Sequence, residues 1–531
     1  MSYNDLHQHV KLLEDKDLLF RISRPVNKDR HLHPLVRWQF RGGIPAEKRK
    51  AFYFENVFDD KGRKYEFPVI VGALAASTKI YALGLGCSPD EIFSRWSRAL
   101  SEPVPPEIVR NGCVHDNVIS GKDLVQKGLD IFPVPISTPG FDNAPYATCS
   151  HWISKDPETH ICNIGNYRGQ IKAKDRVGLY PAGYRQHIML HFEKSRKLGR
   201  PLQTALVIGA PPLISYAAVQ KVPYGFDEFG VAGGLANEPI RVVKCRTVDL
   251  EVPAEAEIVI EGLISTEYLE MEGPFGESHG YMHPRRYNPY MDVTAITYRN
   301  DAYFTSIISQ VTPSESSSIK KKAMEAFFLK HLTEAVGLKS VARVVLHEPL
   351  TNLRKVVIIQ LKKPRQVEVW RALHTFVGLQ EGVGKVIIAV DQDIDPDNLD
   401  AVFWAMGYRM QPHLDVEICR GMVKGHGPPF GLASRSQDAA VIDVRPDDSA
   451  LLINATLKEP FPPVSLPKEQ FMLEAKQIWE ELGFPPLQPE APWYGYSLGE
   501  WDELLDQEAE LALKGDYWTT GEKLKADRKK I

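Results

Sequence analysis

Leu269-Glu270-Met271-Glu272-Gly273-Pro274-Phe275-Gly276-Glu277-Ser278-His279-Gly280-Tyr281-Met282 sets two carboxylates, Glu272 and Glu277, on either side of a tight turn. Pro274 fixes one φ angle, and Gly273 and Gly276 permit backbone shapes that other residues resist. Just upstream, AEIVIEGLI (256–264) alternates apolar and polar residues and reads as a strand, so a rigid element delivers the turn. Two acids held close cannot both ionise cheaply, so one is poised to carry a proton near neutral pH. The stretch places a candidate general acid on a β framework.

Working outward, residues from about Leu129 to Val311 read as many short strands punctuated by Pro and Gly, a barrel-like β unit. VVKCRTVDLEVPAEAEIVIEGLIS (242–265) reads as two strands joined through Pro253. The first ~120 residues mix helices and strands, with a helix start at Ser88-Pro89-Asp90-Glu91, where Glu91 closes a capping box on Ser88. After the β unit, SIKKKAMEAFFLKHLTEAVG (318–337) predicts an amphipathic helix with Ala323, Met324, Phe327, Phe328, Leu332 and Val336 on one stripe and Gly337 as its stop. The pattern fits equally a helix packed on its own domain and a linker between two. KVVIIQL (355–361) and KVIIAV (385–390) read as buried strands around the helical PRQVEVWRALHTFVGL, with the helix DNLDAVFWAMGYRM following and AAVIDV (439–444) as a further strand. The last forty residues predict a helix with extended flanks. The fold class is α+β or α/β, in several domains.

Bulk properties narrow the function. A chain of 531 residues is too long for one core, and a formal net charge of −4 supplies no basic field for nucleic acid. The amino terminus lacks a signal-peptide pattern, and no apolar run approaches the ~20 residues that cross a bilayer. The six cysteines, at 87, 113, 149, 162, 245 and 419, form no CxxC pair and read as reduced, mostly buried thiols. A cytoplasmic enzyme or binding protein is expected, with no nucleic-acid or membrane partner.

Three further places could carry chemistry: Asn163-Ile-Gly-Asn-Tyr-Arg168, Gln186-His187 entering a helix, and Asp227-Glu228 opening another. An arginine near two carboxylates would keep one ionised and leave the other to titrate. Singly, Arg168 reads as structural, His187 as an ordinary histidine and Glu228 as a helix-capping acid. Together, an amide oxygen, an imidazole and a carboxylate make a hard, mixed ligand set that suits manganese or magnesium. Walker A, GxGxxG after a strand, and GxSxG are all missing.

These motifs resemble the UbiD family of reversible decarboxylases, which use prenylated flavin mononucleotide (FMN). The resemblance runs from FENV (54–57) through PVPISTPGFDNAPYAT, NIGNYR, QH, DEFGVAGG, VDLEVPAEAEIVIEG and EGPFGE to VDQDIDPDNLDAVFWA (390–405), most of the chain. It implies a catalytic network of Arg168, Glu272 and Glu277, with Glu277 as proton donor, its pKa raised by Glu272 and an apolar lining. Asn163, His187 and Glu228 match the ligands of a divalent metal, manganese foremost with magnesium or iron(II) as alternatives, that holds the flavin phosphate; a potassium ion is also implied. Cofactor contacts fall on Asn163, Tyr167, Arg168, Gln186, His187, Gln220 and Glu228. The implied layout is an α/β region over 1–125, a split β-barrel binding prenylated FMN over 126–312, a linker helix over 313–345, an α/β oligomerisation domain over 346–485 and a tail over 486–531. Homodimers or homohexamers are the implied assemblies.

The chain departs from the family at two places. A lysine that usually reaches the flavin phosphate is replaced by Ala439, with Arg435 the nearest cation; Val219-Gln220-Lys221 also departs, and Lys221 could substitute. The implied reaction is decarboxylation of an aromatic or α,β-unsaturated acid, extending to an aromatic acyl-CoA such as phthaloyl-CoA. Two alternatives stay open: a split-barrel flavin oxidoreductase, which gives no reason for Glu272 and Glu277, and a non-catalytic flavin- or metal-binding subunit.

Overall fold

The computed structural model describes residues 5–181, 186–380, 382–422, 448–488, 498–526 and 528–529. Near the amino terminus, Leu19–Ile22, Ala51–Phe54, Val69–Val71 and Phe304–Ser306 pair, in that order, into a four-stranded sheet. The expected capping box at Ser88 and Glu91 is present, with Pro89 in the first turn, ahead of the helix Ile92–Ser101.

The Pro- and Gly-punctuated region builds a nine-stranded antiparallel sheet from β1 (Asn117–Ser120), β2 (Tyr146–Ala147), β3 (Ser150–Lys155), β4 (Cys162–Asn166), β5 (Gly169–Ala173), β6 (Arg176–Leu179), β7 (Leu202–Ile208), β8 (Ile258–Ile264) and β9 (Tyr290–Tyr298). Their order is β4-β3-β7-β8-β9-β6-β5-β2, with β1 on β9. Successive side chains on a strand point to opposite faces. Leu206, Ile208, Ile258 and Ile260 therefore join a core shared with the amino-terminal sheet, while Ala205, Val207 and Val259 join a second core under the helices. Both faces are covered, which is why β7 and β8 are almost uniformly apolar.

The two strands expected across 242–265 are three. Arg241–Lys244 pairs with Glu251–Pro253 in a small sheet with Glu107–Ile108, and β8 alone enters the large one. The buried carboxylate of Glu261 reverses the chain between the first two, accepting from the backbone N–H groups of Arg246 at 2.8 Å and Thr247 at 2.6 Å.

Three helices matter for the site: α1 (His187–Lys197), α2 (Glu228–Ala236) and α3 (Glu315–Lys330). α2 packs against residues 99–104, where an added Cβ on Gly233 would lie 2.3 Å from Val104 O. The predicted single stripe on α3 is in fact divided. Ile319, Ala323 and Ala326 enter the core beside the large sheet, whereas Phe328 and Leu332 enter a third core with Met324, Phe327 and Val336 packed against it. The helix therefore belongs to both units, and Gly337 stops it at φ +80°.

Beyond it lies a five-stranded sheet, β10 (Val341–Leu346), β11 (Val356–Leu361), β12 (Val386–Asp391), β13 (Val416–Arg420) and β14 (Ser449–Ala455), in the order β10-β11-β12-β14-β13. β11, β12 and β14 run parallel, with the predicted helices Gln366–Leu379 and Leu399–Arg409 as connections. AAVIDV, Arg435 and Ala439 lie outside the described residues. In the tail, the single expected helix is two, Glu503–Leu513 and Tyr517–Ala526, because Gly515 takes left-handed backbone between them. All six cysteines are free, but only Cys149 is fully buried. No helix among the described residues is long and apolar enough to cross a membrane.

Candidate active site

The opening stretch forms a doubled hairpin. Glu270–Glu272 pairs with Arg286–Asn288, and Phe275–Gly276 pairs with Met282–His283. Gly273 stands between the two segments at φ +100°, a conformation that a side chain would strain. The result buries Glu272 completely and leaves Glu277 at the rim, its side chain 13% exposed.

Arg168, in the short connection between β4 and β5, meets both acids. Its Nε and Nη2 donate to the two oxygens of Glu272, each at 2.8 Å, and its Nη1 donates to Oε1 of Glu277. Tyr180 stacks on the guanidinium at 3.8 Å and Phe275 at 4.7 Å. Desolvation by itself would lower the arginine's pKa, but the two carboxylates outweigh it and raise it. The guanidinium bridges the two acids, the arginine near two carboxylates that the sequence suggested. Burial, and then the charge of Glu277, pushes the Tyr180 hydroxyl up, while burial and Arg168 hold His283 below its ordinary range. Asp142, a neighbour the sequence did not single out, is pushed up to about 6 by burial.

Two cavities flank this network. A cavity of about 580 Å³, largely apolar, has Glu277, Phe141, Tyr281 and Met282 in its walls, with Arg37 and Arg41 at one side. A second, of about 320 Å³, is lined by Asn163, Tyr167, Gln186, His187, Gln220 and Glu228, every predicted cofactor contact except Arg168. Helix starts create it: His187 opens α1, and Glu228 opens α2 behind the capping carboxylate of Asp227, which accepts from Phe229 N. Burial pushes Asp227 up to about 6. Glu228 Oε2 accepts the N–H of Ile164 at 2.9 Å, tying α2 to β4 beside Asn163.

These donors fit a hard cation. Glu228 Oε1 and His187 Nδ1 stand 3.8 Å apart, a gap an ion can bridge. The amide nitrogen of Asn163 and the amide oxygen of Gln220 are buried with no hydrogen-bond partner among the described residues. Buried polar atoms seldom stay unpaired, so a polar guest is expected. The N-termini of α1 and α2 both open here and favour an anion. Sequence reasoning missed two residues in the same walls, Lys320 of α3 and Arg354 ahead of β11; Lys221 lines the cavity as proposed.

A family model described as the 3-octaprenyl-4-hydroxybenzoate carboxy-lyase Rift-related domain, UbiD, matches residues 108–311, and the corresponding C-terminal domain matches 319–432. An uncharacterised protein of Aquifex aeolicus is 31% identical over 80% of this chain and 88% of its own length. The phenolic acid decarboxylase of Sedimentibacter hydroxybenzoicus is 28% identical over 90% of this chain and 97% of its own. Among solved structures, an evolved dimeric form of the UbiD-class enzyme HmfF from Pelotomaculum thermopropionicum, in complex with prFMN, superposes with a TM-score of 0.74 at 28% identity, covering 88% of this chain and 97% of that one.

Proposed function

The chain belongs to the UbiD family, the prenylated-FMN-dependent carboxy-lyases, and we propose that it decarboxylates an aromatic or α,β-unsaturated carboxylic acid reversibly, with Glu277 as the proton donor. The observation that carries this reading is the grip of Arg168 on both acids beside a largely apolar cavity.

The cofactor, when bound, supplies an electron sink for the pair left by departing carbon dioxide. The protein's own residues do the rest. Glu272 spends both oxygens on Arg168 and fixes the guanidinium, whereas Glu277 gives the guanidinium one oxygen. Glu277 is thus the acid able to release a proton into the cavity, onto the carbon that has lost its carboxyl group. Tyr180 and Phe275 keep water from the guanidinium and preserve the grip.

Asn163, His187 and Glu228 would hold a divalent ion, manganese foremost, that neutralises the flavin phosphate, with potassium nearby. Eight of the nine strands, β2 to β9, would serve as the split barrel of residues 126–312, with β1 added from ahead of it, and residues 346–485 would assemble homodimers or homohexamers. The apolar cavity suits an aromatic ring, and an aromatic acyl-CoA such as phthaloyl-CoA falls within the substrate class.

Glu277→Gln tests the assignment. In the loaded enzyme, exchange of the product's ring or vinyl proton with solvent deuterium should fall by about 10²–10⁴-fold while flavin stays bound. Exchange at the wild-type rate would remove Glu277 from the role.

A further inference from the structure

We propose that Lys320 and Arg354 form the anchor for a phosphate monoester dianion in the 320 Å³ cavity, joining α3 and the approach to β11 through the bound phosphate. The inference rests on the reading of that cavity as the flavin site and adds residues that no motif assigned.

Three cations, Lys221, Lys320 and Arg354, line one cavity together with the open ends of two helices. Arg354 has neither a hydrogen bond nor an ion pair to its guanidinium among the described residues, and Lys320 reaches only Ser316 Oγ, at 3.4 Å. Neither has a carboxylate partner there, although Glu277 is near enough for its charge to be felt by both. Burial pushes the Lys320 ammonium down to about 8, and Arg354 and Lys221 act in the same direction. Burial likewise lowers Arg354.

Half-buried like charges without counterions cost free energy. They persist where an anion repays that cost on binding. A lysine point charge and an arginine fork suit a phosphate dianion better than a monoanionic carboxylate. One cation sits on a helix that enters both cores and the other just ahead of β11, an interior strand of the five-stranded sheet, so a phosphate between them ties the carboxy-terminal sheet to the large one.

Titration of the apo protein with FMN and with riboflavin, followed by flavin fluorescence and by thermal melting, decides the matter. Wild type should prefer FMN over riboflavin by at least tenfold. Lys320→Met and Arg354→Met should each erase most of that preference with riboflavin affinity unchanged, and Lys320→Arg should restore it. Without ligand, both Met variants should melt no lower than wild type, because an uncompensated cation has gone. A full FMN preference in both variants, equal losses for FMN and riboflavin, or a lowered apo melting point would overturn the proposal while leaving the flavin site in place. Binding of neither flavin by wild type would overturn the site reading as well. Inorganic phosphate raising the melting point of wild type without shifting FMN affinity would place the anion site apart from the flavin, and that too rejects the anchor.

Discussion

Arg168 can stay charged in a buried position because two carboxylates and three aromatic rings, Tyr146, Tyr180 and Phe275, surround it. Taking it away would leave the fully buried Glu272 carboxylate without its counter-charge. Arg168→Met should cost about 3–5 kcal/mol of stability, seen as a lower melting temperature, besides abolishing activity. Arg168→Lys keeps the charge but loses the fork, so it should fold better than Met while remaining inactive. At this scale the site was largely legible: the acids straddle a Gly-Pro turn, and the separate places at Asn163–Arg168, His187 and Glu228 form a hard ligand set only in combination. Lys320 and Arg354 were not legible. Lys320 opens a run of three lysines that reads as a solvated face, and Arg354 precedes an apolar strand like any surface cation.

At the scale of elements, close approach and capping place the ligands. Glu228 sits where it does because α2 presses on the backbone of residues 99–104. A methyl group on Gly233 would meet Val104 O at 2.3 Å, so Gly233→Ala should destabilise the protein by about 1–3 kcal/mol and weaken metal binding measured by calorimetry. α3 begins with Glu315, whose carboxylate is buried and accepts from the N–H groups of Gly72 at 2.8 Å, Leu74 at 3.0 Å and Ala75 at 3.2 Å. Burial pushes it up to about 7, against these three donors. A carboxyl with a raised folded pKa favours the fold while protonated, so its contribution is complete below the unfolded value of 4.5 and is lost as pH rises through 7. Melting curves between pH 5 and 8 should therefore slope less in Glu315→Gln than in wild type. Element types were mostly readable from periodicity, whereas the extra strand at 251–253 was not. Its reversal depends on Glu261, a contact made from a distant strand.

For the whole molecule, one helix entering two cores unites a large antiparallel sheet with a smaller mixed one, and the network of Arg168, Glu272 and Glu277 sits beside the larger. Sequence pattern could not choose between linker and local helix for α3, since its apolar residues serve both cores at once. The alternating α/β character beyond it was plain because parallel strands and connecting helices carry different periods. The flanking cavities together suggest a flat cofactor held at its phosphate end and a substrate ring held against Glu277.

The central claim is that this arrangement removes carbon dioxide from an aromatic acid through a prenylated flavin. Its most direct measurement is carbon dioxide release from a panel of aromatic acids and their CoA thioesters, using protein purified without oxygen from cells that make the prenylated cofactor, with the bound flavin identified by mass spectrometry. The account predicts turnover of at least one acid by the prenylated holoenzyme and none by the FMN-loaded form or by Glu277→Gln. Carbon dioxide release by the FMN-loaded form, or by Glu277→Gln at the wild-type rate, would contradict it.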